Sequence, residues 1–362
     1  MSELKLQLSV LFLVSLLVMT VLPVGGLSNK MSINHKFCEE VSNDFYFAHI
    51  TDTHMLDSSV DNGKRQDNFK TLVDHIVSFE KKPAFVVITG DLVEWGGNCD
   101  SGAQNLQALV ECLYENDDQL YLDSAFSIPV YTTPGNHDYR NVDIFEVSLF
   151  NYHNFIDNKH VEENDRYIIT FEDLSLFFLN SGHDYFEDPD DWVRVLGDGL
   201  YDEDIDWLEN ALSNCVSKHK IVLMHHPAIN DDYVKGKMKD VIARNRDVFL
   251  ALCDEYNVDV VLCGHTHVSK ILDSDENVYD GSLFNCSQYP ALHVQTSASK
   301  LGRHYRNISI VGNDVWLDKC KNVEKTSAKH SNDKIFLNSF LMKFFQRIQL
   351  IETMRYMFRY TK

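Results

Sequence analysis

The run Ala84-Phe85-Val86-Val87-Ile88-Thr89 is unbroken, largely apolar and β-branched, and it ends at Gly90-Asp91. Such a run reads as a strand buried on both faces, which points to an α/β fold. A carboxylate at the carboxyl end of a buried strand faces the crevice where open α/β sheets bind ligands. Glycine just before it lets the backbone turn sharply and lets a ligand approach. Taken alone, Gly90-Asp91 is equally a turn capped by its own aspartate. Four other strand-like runs, however, end in metal-type ligands: Asp52/His54, Asn136/His137, His225/His226 and His265/His267. That repetition favours a metal centre with Asp91 as the bridge between two ions.

The runs alternate with helical periodicity. Residues 45–50 form the first expected strand and deliver Asp52 and His54, whose i, i+2 spacing puts both side chains on one face if the strand geometry continues. His49, inside that strand, reads as a core histidine. Residues 67–80 repeat apolar positions at helical spacing and stop before Pro83. A helix is expected around 104–114, a strand over 128–133 and a hairpin from 166–171 and 174–179. The acidic stretch 188–204 reads as a loop over a site mouth, followed by a helix over 205–212. Strands are expected at 220–224 and 258–263, with a helix around 247–256 between them. Further strands at 291–297, 304–311 and 314–318 suit a second sheet packed on the first. No internal repeat is apparent.

The 362-residue chain is long enough for one large domain with tails. Its net charge of -21 argues against a nucleic-acid duplex as partner, because that contact needs clustered Lys and Arg. Lys5, an apolar run over 8–24 and small residues after Pro23 form a signal-peptide layout spanning 1–26, with an uncleaved anchor as the competing reading. The expected address is the secretory pathway: secreted, lysosomal or vacuolar, or membrane-associated. Eight cysteines, none in a C-x-x-C pair, are permissive for disulfides and argue against thiolate metal sites. Asn285-Cys286-Ser287 and Asn307-Ile308-Ser309 are glycosylation sequons. An extension over 27–44 precedes the catalytic segment 45–318, and a polar linker over 319–334 follows it. Residues 335–362 read as a basic amphipathic helix, either docked on the acidic body or lying on a membrane surface.

Asp52-x-His54, Gly90-Asp91-x-x-Glu94, Gly135-Asn136-His137-Asp138, His225-His226-Pro227 and Gly264-His265-Thr266-His267 occur in order, each after an apolar strand. Together they resemble the calcineurin-like metallophosphoesterase superfamily over about residues 45–318. The resemblance implies two packed mixed β-sheets flanked by helices and a binuclear centre of divalent or trivalent Mn, Zn or Fe. It implies Asp52, His54, Asp91 and His267 at one ion, and Asp91, Asn136, His225 and His265 at the other. Oxygen and imidazole donors suit such ions on their own chemistry.

The implied reaction is hydrolysis of phosphate mono- or diesters by a metal-bridging hydroxide, with His137 as general acid. Glu94, where many relatives have Asp, is expected to orient His137. Purple acid phosphatases carry a metal-binding tyrosine at this position, which argues against an Fe(III)–tyrosinate centre here. His226 reads as a support behind the ligands, and Asp138 as structural. Arg140 reads as structural or as a contact to substrate phosphate. The loops at 95–125 and 183–200 are expected to set substrate choice. Two readings of another class remain open at this stage: a non-catalytic metal-stabilised binding module, and a membrane-associated scaffold acting through the C-terminal tail.

Overall fold

The computed structural model describes residues 44–113, 128–141, 147–156, 165–186, 195–279 and 283–324. The signal-peptide segment, the extension up to residue 43, Cys38, most of the linker and the basic helix lie outside them. In chain order the strands and helices begin with β1 (Phe45–Ile50), α1 (Ser58–Asp61), α2 (Lys64–Val77), β2 (Val86–Thr89), α3 (Asp100–Leu113), β3 (Val130–Thr133), α4 (Asn136–Tyr139) and α5 (Phe150–Phe155). The middle holds β4 (Tyr167–Phe171), β5 (Leu174–Phe178), β6 (Asp184–Phe186), β7 (Val195–Gly199), α6 (Asp202–Ser213) and β8 (His219–Leu223). Then come β9 (Tyr233–Val234), β10 (Lys237–Met238), β11 (Ile242–Arg244), α7 (Arg246–Glu255), β12 (Val260–Cys263) and β13 (Lys270–Leu272). The described chain closes with β14 (Leu283–Asn285), β15 (Leu292–Gln295), α8 (Ser299–Gly302), β16 (His304–Val311), β17 (Asp314–Asp318) and β18 (Lys321–Asn322).

Two large mixed sheets result. One runs β14-β17-β16-β1-β2-β3, with β18 pairing β16; the other runs β13-β15-β12-β8-β5-β4. In the first, β1, β2 and β3 are parallel, with Ala48 opposite Val86 and Val86 opposite Val130. In the second, β5, β8, β12 and β15 are parallel, with Val260 opposite Ile221 and Leu292. Each sheet therefore sends several strand C-termini to one edge.

The unbroken apolar runs follow from burial on both faces. Phe45, Phe47, Phe85, Val87 and Tyr131 of the first sheet meet Phe178, Ile221, Leu223, Val260 and Leu262 of the second in an inter-sheet core. Ala48, Ile50, Val86 and Ile88 point the other way, onto Leu72 and Ile76 of α2 and Leu106 and Leu109 of α3. Val222, Val261 and Cys263 pack on Leu208 of α6 and Phe249 of α7. The layers are thus helix, sheet, sheet, helix. Four of the five motif strands, β1, β2, β8 and β12, are central and β3 lies at the edge of its sheet beside β2, so a one-residue slip of any central one would expose a core face.

Three sequence expectations change. Residues 195–199, read as loop, form β7, paired parallel to β11 and antiparallel to β6. Val-Leu-Gly-Asp-Gly carries little intrinsic strand preference, and pairing supplies what propensity does not. The sheet also continues past Asp318, since Lys321 and Asn322 pair with Tyr305 and His304. The seven described cysteines, Cys99, Cys112, Cys215, Cys253, Cys263, Cys286 and Cys320, are free thiols, so the expected disulfides do not form among them. Among the described residues no helix is long and apolar enough to cross a membrane.

Candidate metal centre

The strand C-termini of both sheets converge, and the five motif loops meet there. Gly90 is needed at the closest approach: its φ is +75°, and a Cβ would lie 2.5 Å from Nδ1 of His225. Five of the non-glycine donor residues are themselves left-handed, with φ of 52° at Asp52, 44° at His54, 48° at Asp91, 65° at His265 and 61° at His267. Such backbone is uncommon outside glycine and clusters where function over-determines it.

Asp91 sits in the middle with only 1% of its surface exposed. Its Oδ2 is 3.3 Å from His54 Nε2, and its Oδ1 is 3.2 Å from His225 Nε2. The two oxygens of one carboxylate therefore face two donor sets. On the first side, His267 Nε2 lies 3.2 Å from both Asp52 Oδ1 and His54 Nε2. On the second, Asn136 Oδ1 lies 3.0 Å from His225 Nε2 and 3.2 Å from His265 Nδ1. His225 donates Nδ1–H to the Thr89 carbonyl at 2.9 Å, which turns its Nε2 lone pair inward.

Cations fit this cluster. Asp52 Oδ1 is buried without an aligned hydrogen bond, its neighbours being the imidazole nitrogens His267 Nε2 at 3.2 Å and His54 Nε2 at 3.7 Å, and a metal ion between them would satisfy it. Asp52, His54, Asp91 and His267 each bring one donor atom to within 4.8 Å of the others. Burial opposes charge on His54 and His225, yet Asp91 and its neighbours lift them to about 9 and about 10. Carboxylates that draw protons onto buried imidazoles mark a cavity that requires positive charge.

The profile of the calcineurin-like phosphoesterase family matches residues 45–269. The chain belongs to that family. It is 24% identical over 225 residues to a probable cyclic nucleotide phosphodiesterase of Colwellia psychrerythraea, an alignment covering 61% of this chain and 70% of that protein. It is likewise 24% identical over 225 residues to a probable glycerophosphodiester phosphodiesterase of Arcobacter nitrofigilis, covering 60% of this chain and 70% of the relative. A purple acid phosphatase from yellow lupin superposes with a TM-score of 0.51 at 12% identity, over 76% of this chain and 50% of the lupin chain. The protein is accordingly a metal-dependent phosphoester hydrolase with a metallophosphoesterase fold.

Beside the family donors, His137 is held in two ways. Its backbone N–H donates to Asp91 Oδ1 at 2.8 Å, and its ring Nδ1 donates to the Glu94 backbone carbonyl at 2.7 Å. Nε2 is left as the free nitrogen. Burial lowers the pKa of His137 against the pull of Asp91. The Glu94 carboxylate, expected to orient His137, is 3.7 Å from its Nδ1. That carboxylate instead approaches His54 Nδ1 at 3.3 Å and is gripped by the Arg65 guanidinium. Orientation of His137 thus comes from the main chain of Glu94, and the side chain of Glu94 braces His54.

Asp138 is structural: it accepts N–H bonds from Leu92, Val93 and Gly135 at 3.2, 3.1 and 2.8 Å. Burial and then Asp91 push its carboxyl up to about 7. Arg140 is paired with Asp184 at 2.7 Å. His49 is the core histidine expected, hydrogen-bonded to Thr89 and Thr296 hydroxyls. Sequence reasoning missed Arg65, which also donates to the His54 carbonyl. A signal existed: Lys64 and Arg65 occupy the first turn of α2, where the helix dipole favours acids. A cation placed there is held by something outside the helix.

Proposed function

We propose that the protein hydrolyses phosphodiesters at a two-cation centre, with His137 as the general acid. The observation that carries this reading is the division of Asp91 between two donor sets, with Oδ2 towards His54 and Oδ1 towards His225. Asp52, His54, Asp91 and His267 would hold one cation, and Asp91, Asn136, His225 and His265 the other. When bound, such ions polarise phosphoryl oxygens and acidify a water nucleophile. Diesters are favoured over monoesters because the two relatives described above are named as probable phosphodiesterases.

The chain's own residues then have separable tasks. With Nδ1–H fixed on the Glu94 carbonyl, His137 can present a proton only from Nε2. Delivering it to the departing oxygen neutralises the alkoxide as the bond to phosphorus breaks. Glu94 and Arg65 form a half-buried ion pair behind His54 that fixes which face of its imidazole points inward.

The test is turnover of the purified full chain, supplied with Mn²⁺ or Zn²⁺, on bis-nitrophenyl phosphate and nitrophenyl phosphate side by side. Faster cleavage of the diester is expected. Equal or faster cleavage of the monoester removes the diester assignment, and no cleavage of either removes the activity.

A further inference from the structure

We propose that Gln295, outside the five motifs, is a positioning residue for both ions: its side-chain amide ties the turn carrying His265 and His267 to the loop that follows His225. This rests on the metal-centre reading above and adds the device that sets its donors in place.

Gln295 ends β15 and is fully buried. In the parallel pairing of β15 with β12 it lies beside Cys263, the residue before Gly264. Its Nε2 is 2.9 Å from the Ile229 carbonyl, and its Oε1 is 2.5 Å from the Thr266 hydroxyl. A carbonyl only accepts, so the amide nitrogen must face Ile229. The amide oxygen then faces Thr266, whose hydroxyl donates to it. Both polar atoms of the amide are spent on histidine-bearing loops.

That turn needs holding. His265 and His267 both have left-handed backbone, at φ of 65° and 61°, with Thr266 between them. Gly264 N–H donates to the His225 carbonyl at 3.0 Å, His265 N–H to Asp52 Oδ2 at 3.1 Å and Thr266 N–H to the Gly264 carbonyl at 2.8 Å. These three bonds fix the His265 side of the turn. The Thr266 hydroxyl adds a side-chain bond midway between the two ligand residues. His265 Nδ1 faces the second donor set and His267 Nε2 the first, so one bond steers a donor of each ion.

The other loop is held at its start. His226, expected behind the ligands, donates its backbone N–H to the Ser181 hydroxyl at 3.0 Å, and its Nδ1 is 2.9 Å from the same oxygen. Ile242 N–H then donates to the Pro227 carbonyl at 3.0 Å. Gln295 takes hold two residues further on, at Ile229, and joins this loop to the histidine turn at a point beyond the Gly264–His225 bond. A place at the strand end does not by itself bring this role. The next residue, Thr296, turns its hydroxyl to His49 and Arg306 instead.

The test titrates the chelator-stripped full chain with Co²⁺, following affinity and the visible d–d spectrum, and records thermal unfolding of the stripped protein. Thr266→Val removes the hydroxyl and keeps the shape, whereas Thr266→Ser keeps the hydroxyl. Gln295→Leu removes both bonds of the amide. Expected is binding of both ions weakened about 10–100-fold by Thr266→Val and by Gln295→Leu, the usual effect of losing an outer partner, with an altered spectrum. Thr266→Ser should bind as the unaltered protein does. The variant carrying both Thr266→Val and Gln295→Leu should be no weaker than Gln295→Leu alone, because the two residues share one bond. If Gln295→Leu does not fold, the two Thr266 variants decide alone. A lower unfolding temperature with both ions bound at unchanged affinity and spectrum would make Gln295 a core glutamine and overturn the proposal, as would weakening confined to one ion. An unaltered protein that takes up no Co²⁺ would instead sink the metal centre itself.

Discussion

Replacing His137 by alanine should separate proton delivery from metal assembly. The backbone N–H of residue 137 still reaches Asp91 Oδ1, so the loop that presents Asn136 keeps its anchor. What disappears is the ring and its bond to the Glu94 carbonyl. The lost neutral hydrogen bond is worth about 1 kcal/mol of stability. Loss of general-acid assistance slows turnover by about 10²–10⁴-fold, or roughly 3–5 kcal/mol of barrier. The catalytic loss is therefore several times the structural one, and the variant should fold, bind metal and react slowly.

Leaving-group chemistry sharpens the expectation. An alkoxide needs a proton as it departs, whereas nitrophenolate leaves well without one. The deficit of His137→Ala should be near its full size on an alkyl phosphodiester and shrink markedly on the nitrophenyl ester. The assay is kcat/KM for the pair of esters with bound metal measured on the same samples, and His265→Ala as the comparison, which should lose metal and slow both. If His137→Ala loses metal and slows both esters equally, the residue supports the centre and the acid assignment is wrong.

Asp91→Ala should abolish binding at both sites together, since its two oxygens face both donor sets; elemental analysis showing one full-affinity ion retained would contradict the bridge. Arg65→Gln should reduce stability by about 1–3 kcal/mol, because the half-buried Glu94 carboxylate loses a charged partner, and should weaken metal binding about 10-fold through His54; metal titration and thermal unfolding check both. His293→Phe concerns acid stability. Burial and then Arg246 hold the pKa of His293 down to about 3 against an ordinary value of 6.5. Above 6.5 neither state binds the proton, and below it the unfolded chain binds first, so His293 lowers stability by about 2 kcal/mol between pH 8 and pH 5. The phenylalanine variant should lack that loss in denaturant titrations at the two pH values, and an identical pH dependence would count against it.

Legibility from sequence followed locality. Each central strand announces itself because both its faces are buried, so Val86–Thr89 and Val260–Cys263 are continuous apolar runs with nothing to disguise them. The donors follow within a few residues of those runs, and their residue types carry their chemistry. Interactions across elements are less visible. Nothing near Glu94 says that its carbonyl, and not its carboxylate, would meet His137. Nothing near Gly197 says that its missing side chain admits His226, because the two are neighbours only after β7 has paired with β11. The left-handed backbone at Asp52, His54, Asp91, His265 and His267 is also silent, since glycine is the residue that usually signals it.

That backbone bears on what the ions do for the fold. A non-glycine residue in a sparsely populated conformation costs of order 1–3 kcal/mol. Five such donors then represent about 5–15 kcal/mol, as large as the net stability of a typical domain. Added to this are an orphaned Asp52 oxygen and carboxylates and imidazoles crowded together at a largely buried site. Two sheets packed through a common core hold the loops in place, and the binding energy of cations at the donors would offset part of this cost. An ion that binds only the folded chain stabilises it by RT ln(1 + [L]/Kd), about 4 kcal/mol at a thousand times Kd. For a domain of this size each kcal/mol moves Tm by roughly 2–4 °C. Chelation should therefore lower Tm by about 8–16 °C per tightly held ion, and re-addition of metal should restore it. The measurement is thermal unfolding of the full chain before stripping, after stripping and after reloading, with metal content determined at each stage. A stripped protein that melts at the same temperature would mean that the packed sheets alone carry the strain, and that the donor loops are set in place before any ion arrives.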